Sequence, residues 1–143
     1  MKIYLAGPLF TTAEQEFNRQ LCAALQQAGH VVWLPQEHEP RERTAKAIFE
    51  EDVSGLHASD VIVANVDGPD PDSGTCWEIG YAYGKKPIIL YRTDFRQAGD
   101  AVNAPVNLMM SESADAVIVA PLATPKEIAA KVCDALLRLK LDD

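Results

Sequence analysis

Residues 73–84 read SGTCWEIGYAYG, placing a lone carboxylate, Glu78, where a helix should begin. Just upstream, DGPDPDSG (67–74) adds Asp67, Asp70 and Asp72. Carboxylates with separated pKa values can divide the work of breaking a glycosidic bond: one attacks the sugar carbon and the other handles the proton on the leaving group. Glu78 has two readings. Thr75 followed three residues later by Glu78 has the pattern of a capping box, which satisfies two free amides and needs no chemistry. A first-turn position would also keep a carboxylate ionised through the helix dipole and those amides, which suits an anionic nucleophile. The three aspartates can equally be solvated loop residues. The three cysteines, Cys22, Cys76 and Cys133, are too far apart for a zinc pattern or a disulfide framework, and Cys76 has no histidine near it in sequence to generate a thiolate. His30, His38 and His57 lack metal-ligand spacing and read as structural or exposed.

Such residues need a frame. The short Val/Ile-rich runs IYLA (3–6), VVWL (31–34), VIVANV (61–66), IILY (88–91) and AVIVA (116–120) read as buried strands. Phe17, Leu21, Ala24, Leu25 and Ala28 recur at helical spacing, with Thr12 and Gln15 as the expected capping box and Gly29 as the stop. Near the other end Thr124 caps, Pro125 takes the first helical position, Glu127 closes the box, and Ile128, Val132, Leu136 and Leu139 form the stripe. Helices alternating with strands predict an α/β fold: one doubly wound, Rossmann-like or flavodoxin-like domain over 1–143, with a five-stranded parallel sheet flanked by helices. The irregular stretches 7–11, 36–44, 67–74 and 92–113 each follow a predicted strand, and ligands in open α/β sheets bind outside the carboxyl ends of strands. The site is expected in these four loops. The last is long enough to be either functional or mobile.

Bulk properties narrow the possibilities. Twenty-one acidic against thirteen basic residues give a net charge of −8, which disfavours a nucleic-acid polymer, whose binding relies on lysines and arginines neutralising phosphates. A small neutral ligand remains compatible. No run of about 18 apolar residues could span a bilayer, and Met1 leads directly into the strand-like KIYLA without the zones of a signal peptide. Cytoplasmic localisation is the expectation.

IYLAGPLF (3–10), EEDVSGLHASDVIVANVDGPDPDSGTCWEIGYAYG (50–84) and VNLMM (106–110) resemble the signature regions of the nucleoside 2-deoxyribosyltransferases. That resemblance implies exchange of a 2-deoxyribosyl group between nucleobases by double displacement, with no metal or organic cofactor. It assigns the nucleophile to Glu78, proton handling on the base to Asp72, and orientation of the nucleophile to Tyr4. Asp52 matches a second base-side aspartate, Phe10 an aromatic lining the pocket, and Gly7 lies beside it in the substrate loop. Asn107 and Met109 match residues lent to a neighbouring subunit's pocket near the 5′-hydroxyl, which implies a homo-oligomer, a dimer at least and a hexamer by resemblance. The implied partners are deoxynucleosides and free bases. Trp77 stands where the family varies. Asp60 reads as a turn residue or cap outside the site. Two rivals remain open: a nucleoside 5′-monophosphate N-glycosidase, with Ser73 and Thr75 as phosphate ligands, and a non-catalytic nucleotide-binding module.

Overall fold

The Val/Ile-rich runs form β1 (Lys2–Ala6), β2 (Val31–Trp33), β3 (Val61–Asn65), β4 (Ile88–Arg92) and β5 (Ala116–Val119) in a computed structural model that describes residues 1–139. The sheet runs β2-β1-β3-β4-β5, and every neighbouring pair is parallel. Between the strands lie α1 (Thr12–Gln27), α2 (Ala45–Ala58), α3 (Ser73–Ala82), a single-turn α4 (Leu108–Ser111) and α5 (Pro125–Leu139). This is the expected five-stranded parallel sheet, and its order is the flavodoxin-like one of the two doubly wound forms left open. The chain winds outward from β1 to β2, then returns to β3 on the other side of β1, so the direction of winding reverses between β1 and β3. Side chains at the carboxyl ends of those strands flank the crevice that such a reversal opens.

Both faces are covered over the central strands β1, β3 and β4, which is why these lack polar alternation; the edge strand β5, expected to be buried, instead leaves Val117 and Val119 exposed on one face. On one face Ile3, Leu5, Val61, Val63 and Ile89 pack against Leu21 and Leu25 of α1 and Ile128, Val132 and Leu136 of α5. On the other, Tyr4, Ala6, Ile62, Ala64 and Leu90 pack against Leu56 of α2 and Ile79 and Ala82 of α3. Tyr4 therefore points to the α2/α3 side, where Asp52 and Glu78 also reside. Gly55 sets how closely α2 approaches: a Cβ there would lie 2.2 Å from Trp33 Cε2. Only a bare α-carbon lets that helix rest on the indole.

Two capping expectations need correction. The box at α1 uses Thr11 and Glu14, not Thr12 and Gln15: Thr11 N–H donates to Glu14 Oε2 at 2.8 Å and Glu14 N–H to Thr11 Oγ1 at 3.2 Å. With adjacent threonines either frame fits the pattern, and the carboxylate is the stronger acceptor. Gln15 instead donates to the Leu9 carbonyl at 2.9 Å. At α3 the cap is Asp72, whose Oδ2 accepts from Thr75 N–H at 2.8 Å and Thr75 Oγ1–H at 3.0 Å. Thr75 and Glu78 form no capping box. The expected ends elsewhere hold: Gly29 follows α1 with φ +88°, and Glu127 Oε2 accepts from Thr124 N–H at 2.7 Å ahead of α5.

Candidate active site

Moving the cap from Thr75 to Asp72 displaces Glu78 from the first turn of α3 into the second. Its carboxylate is out of reach of the free amides and turns toward β1, where Tyr4 Oη–H donates to Glu78 Oε1 at 2.5 Å. The tyrosine is fully buried. Burial pushes the Glu78 carboxyl up to about 7; the Tyr4 hydrogen bond pulls against this, while the charges of Asp52 and Asp72 add to it. Sequence alone pointed the other way, toward a carboxylate held ionised by the helix dipole, because it placed Glu78 beside amides that Asp72 in fact serves. Burial, and then the charge of Glu78, raise the Tyr4 phenol far above its usual range. Tyr4 thus remains a donor at any working pH, and a donor favours the ionised carboxylate.

Glu78 opens into a cavity of about 310 Å³ lined by Phe49, Asp52, Val53, Leu56, Gly74 and Trp77. Asp52 reaches it from α2. Burial, with the charge of Glu51, holds the Asp52 carboxyl above the ordinary aspartate range, opposed by His38. Tyr4, Asp52 and Glu78, far apart in sequence, are therefore assembled by β1, α2 and α3.

Asp72 and Phe10 border a second hollow, of about 500 Å³, which also takes in Pro8, Phe17, Asp67 and Asp70. Gly74 lines the first cavity and Asp72 the second, so the two meet across the first turn of α3. Phe10 is 74% exposed, and its backbone N–H is held by Glu14 Oε2 at 2.9 Å. Gly7 is an anchor for this loop: a Cβ there would come within 3.1 Å of Asn65 Cβ, so its absence lets the loop close over β3. Buried Asn18 ties the same loop down, donating to the Pro8 carbonyl at 2.9 Å and to Gln36 Oε1 at 3.1 Å.

Asn107 and Met109 do not reach Glu78. They border a third hollow with Cys76, Ile79, Gly80 and Tyr83 on another side of α3, and Met109 is 73% exposed. Asn107 caps α4, its Oδ1 accepting from Met109 N–H at 2.9 Å. The 92–113 segment is ordered by such local bonds: Asp100 also accepts from Leu108 N–H at 3.0 Å and Asn107 Nδ2–H at 3.2 Å.

Two contributors escaped sequence reading, Arg92 and Phe49, and a third, Asp67, was read only as a possible site carboxylate or a solvated loop residue. Arg92, wholly buried, donates to the carbonyls of Val66, Gly68 and Arg96 and so gathers the loops after β3 and β4. Asp67 works with it while bordering the second hollow, accepting from Thr93 Oγ1–H at 2.6 Å and Asp94 N–H at 2.8 Å. Phe49 lies one helical turn before Asp52, a spacing that places both on one face; that signal was present in IFEED. Asp60, read from sequence as a turn residue or cap, instead ties the start of β1, accepting from Lys2 N–H at 2.7 Å. Among the described residues no helix is long and apolar enough to cross a membrane.

The family model for nucleoside 2-deoxyribosyltransferase matches residues 3–109, a span that runs from Tyr4 through Asp52, Asp72 and Glu78 to Met109. Among solved structures, a conserved protein from Enterococcus faecalis V583 is similar with TM-score 0.73 and 30% identity, over 94% of this chain and 98% of that one. The 2-deoxyribosyltransferase from Bacillus psychrosaccharolyticus is similar with TM-score 0.70 and 24% identity, over 90% of each chain. The CMP N-glycosidase of Clostridium botulinum shares the fold with TM-score 0.59 and 20% identity, over 93% of this chain and 99% of that one. A comparison with curated proteins finds no match.

Proposed function

Because the chain belongs to the nucleoside 2-deoxyribosyltransferase family, we propose that it exchanges one nucleobase for another on 2-deoxyribose, acting on deoxynucleosides and free bases in the cytoplasm. The observation that carries this reading is the Tyr4–Glu78 hydrogen bond of 2.5 Å at the wall of a cavity that Asp52 shares. In the first displacement a Glu78 oxygen attacks C1′, the C1′–N bond breaks, and its electron pair leaves with the base, which takes up a proton. A glutamyl ester of the sugar results. An incoming base then attacks C1′ and loses its proton to the same acid, and Glu78 departs as carboxylate. The positive charge developing at C1′ is met by a fixed carboxylate before the bond forms.

Two acids can hold the migrating proton. Asp52 faces the cavity directly, and its raised pKa favours the protonated form that a donor requires. Asp72 has one oxygen engaged by Thr75, leaving the other for the base. Asn107 and Met109, remote from Glu78 in their own chain, complete the pocket of an adjacent copy near the 5′-hydroxyl, so the working enzyme is an oligomer.

A nucleoside 5′-monophosphate N-glycosidase is the alternative. It needs phosphate ligands, and one of the two candidates, Thr75, is 1% exposed and spends its hydroxyl on Asp72. The neighbouring hollow is lined by Asp67, Asp70, Asp72 and Glu14, with no lysine or arginine. Both features favour a neutral nucleoside. Incubation with deoxyinosine and adenine tests the reading: deoxyadenosine should form with hypoxanthine, and a sugar-sized mass adduct should be trapped on Glu78. Hypoxanthine without deoxyadenosine would move the assignment to hydrolysis. A Glu78→Gln protein that retains every activity would reduce the chain to a binding module.

A further inference from the structure

Two aromatic rings beside Glu78 take no part in the chemistry above. Phe49 is 52% and Trp77 45% exposed, yet both line the cavity that holds the reacting carboxylate. Rings of this size, which bury roughly 150–250 Å² each when packed, are usually covered on folding. The two meet edge to face with centroids 5.4 Å apart. Tyr81 stacks on Trp77 at 4.9 Å and 15°, and Tyr81 is itself fixed by His57 Nε2, 2.7 Å from its hydroxyl, and by the Lys85 ammonium, 3.6 Å from its ring centroid. The indole is thus braced in one plane while about half its surface stays open. Apart from Asp52 and Glu78, the cavity is lined by apolar side chains and Gly74.

A flat ring with polar edges is the complement of that arrangement: apolar faces against the aromatics, a hydrogen-bonding edge toward Asp52. We propose that Trp77, with Phe49, is the wall on which the nucleobase stacks, and that these rings set base preference. This rests on the transferase reading. Stacking strength grows with the area covered, so a bicyclic purine gains more from the wall than a monocyclic pyrimidine. The protein therefore prefers purines.

Titration of adenine and of cytosine into wild type, Trp77→Ala, Trp77→Phe and Phe49→Ala, followed by calorimetry and indole fluorescence, tests this alongside KM for deoxyinosine. The other tryptophan, Trp33, is stacked on His38 at 3.7 Å and does not line the cavity, so adenine should quench chiefly Trp77. In Trp77→Ala the adenine Kd and the deoxyinosine KM should rise about tenfold or more, with a smaller fall in kcat and a narrowed preference for adenine over cytosine. Trp77→Phe should recover most of the loss. Phe49→Ala should shift in the same direction, and it serves as the readout should Trp77→Ala fail to fold. Unchanged adenine affinity in a folded variant, while wild type still makes deoxyadenosine, overturns the wall and leaves the transferase standing. Wild type that neither binds bases nor exchanges them overturns both.

Discussion

At the scale of single residues, the Tyr4–Glu78 pair holds a carboxylate near the middle of the physiological range. With its pKa pushed up to about 7, Glu78 is ionised in only part of the population at neutral pH, so kcat/KM should climb on an acidic limb centred near that value. Tyr4→Phe removes a donor that favours the ionised form, so the limb should move toward alkaline pH by roughly one to two units; a pH–rate series on the two proteins measures it. Folding stability carries the same signature. Glu78 binds its proton more tightly folded than unfolded, rising from 4.5 to about 7, so its contribution is greatest below the unfolded value and is lost as pH rises through the folded one. Glu78→Gln, which cannot ionise, should therefore be more stable than wild type by about 1–3 kcal/mol at pH near 8, with the gap closing toward pH near 4.5; thermal melts at both pH values decide it. Glu78 was legible as the candidate nucleophile in EIGYA and the aspartate six residues before it, through the family resemblance. Its pKa was not, because that depends on which residue caps α3 and on a tyrosine 74 positions away in the chain.

At the scale of elements, α3 joins two demands in one aspartate. Asp72 caps the start of the helix by accepting from Thr75, and it borders the hollow next to Glu78. Substitutions separate these demands. Asp72→Ala removes the cap and should lower stability by about 1 kcal/mol. Asp72→Asn keeps a good cap and removes only proton transfer, so its melting temperature should stay near wild type while turnover falls about 100-fold or more. If Asp72→Asn turns over normally, Asp72 is a cap alone and Asp52 carries the proton. Most of the frame was legible at this scale: five Val/Ile runs gave five strands, Gly29 ended α1, and Thr124, Pro125 and Glu127 opened α5. Local sequence was ambiguous where two frames fit one pattern, as with Thr11 and Thr12, or Asp72 and Thr75. It was silent where order comes from distant partners. Nothing in IILYR announces that Arg92 will be buried beneath the carbonyls of Val66 and Gly68, nor in 92–113 that Asp100 will gather Asn107 and Leu108.

At the scale of the whole molecule, the hollow beside Glu78 lacks the residues assigned to the 5′ end of the sugar. Asn107 and Met109 border a different side of α3, in a region where Tyr83, Leu108 and Met109 are all exposed. Exposed apolar side chains gathered in one region fit the proposal that another copy of the chain covers this surface, and closed symmetric assembly is the usual form of such contacts. If each pocket draws Glu78 from one chain and Asn107 from the next, two inactive variants should rescue one another. Glu78→Gln keeps its Asn107 to lend, and Asn107→Ala keeps its Glu78. In an equal mixture allowed to exchange subunits, a given pocket has about an even chance of an intact Glu78 and, independently, about an even chance of an intact neighbouring Asn107, so activity should recover to about a quarter of wild type whatever the size of the closed ring. Pockets built within one chain would show no recovery, and the mixture would stay at the mean of its parents. Native mass spectrometry of the same samples, which resolves assemblies by the mass difference between the two variants, would confirm that mixed assemblies had formed, so an absence of rescue in a mixed oligomer would count against shared pockets and not against assembly itself.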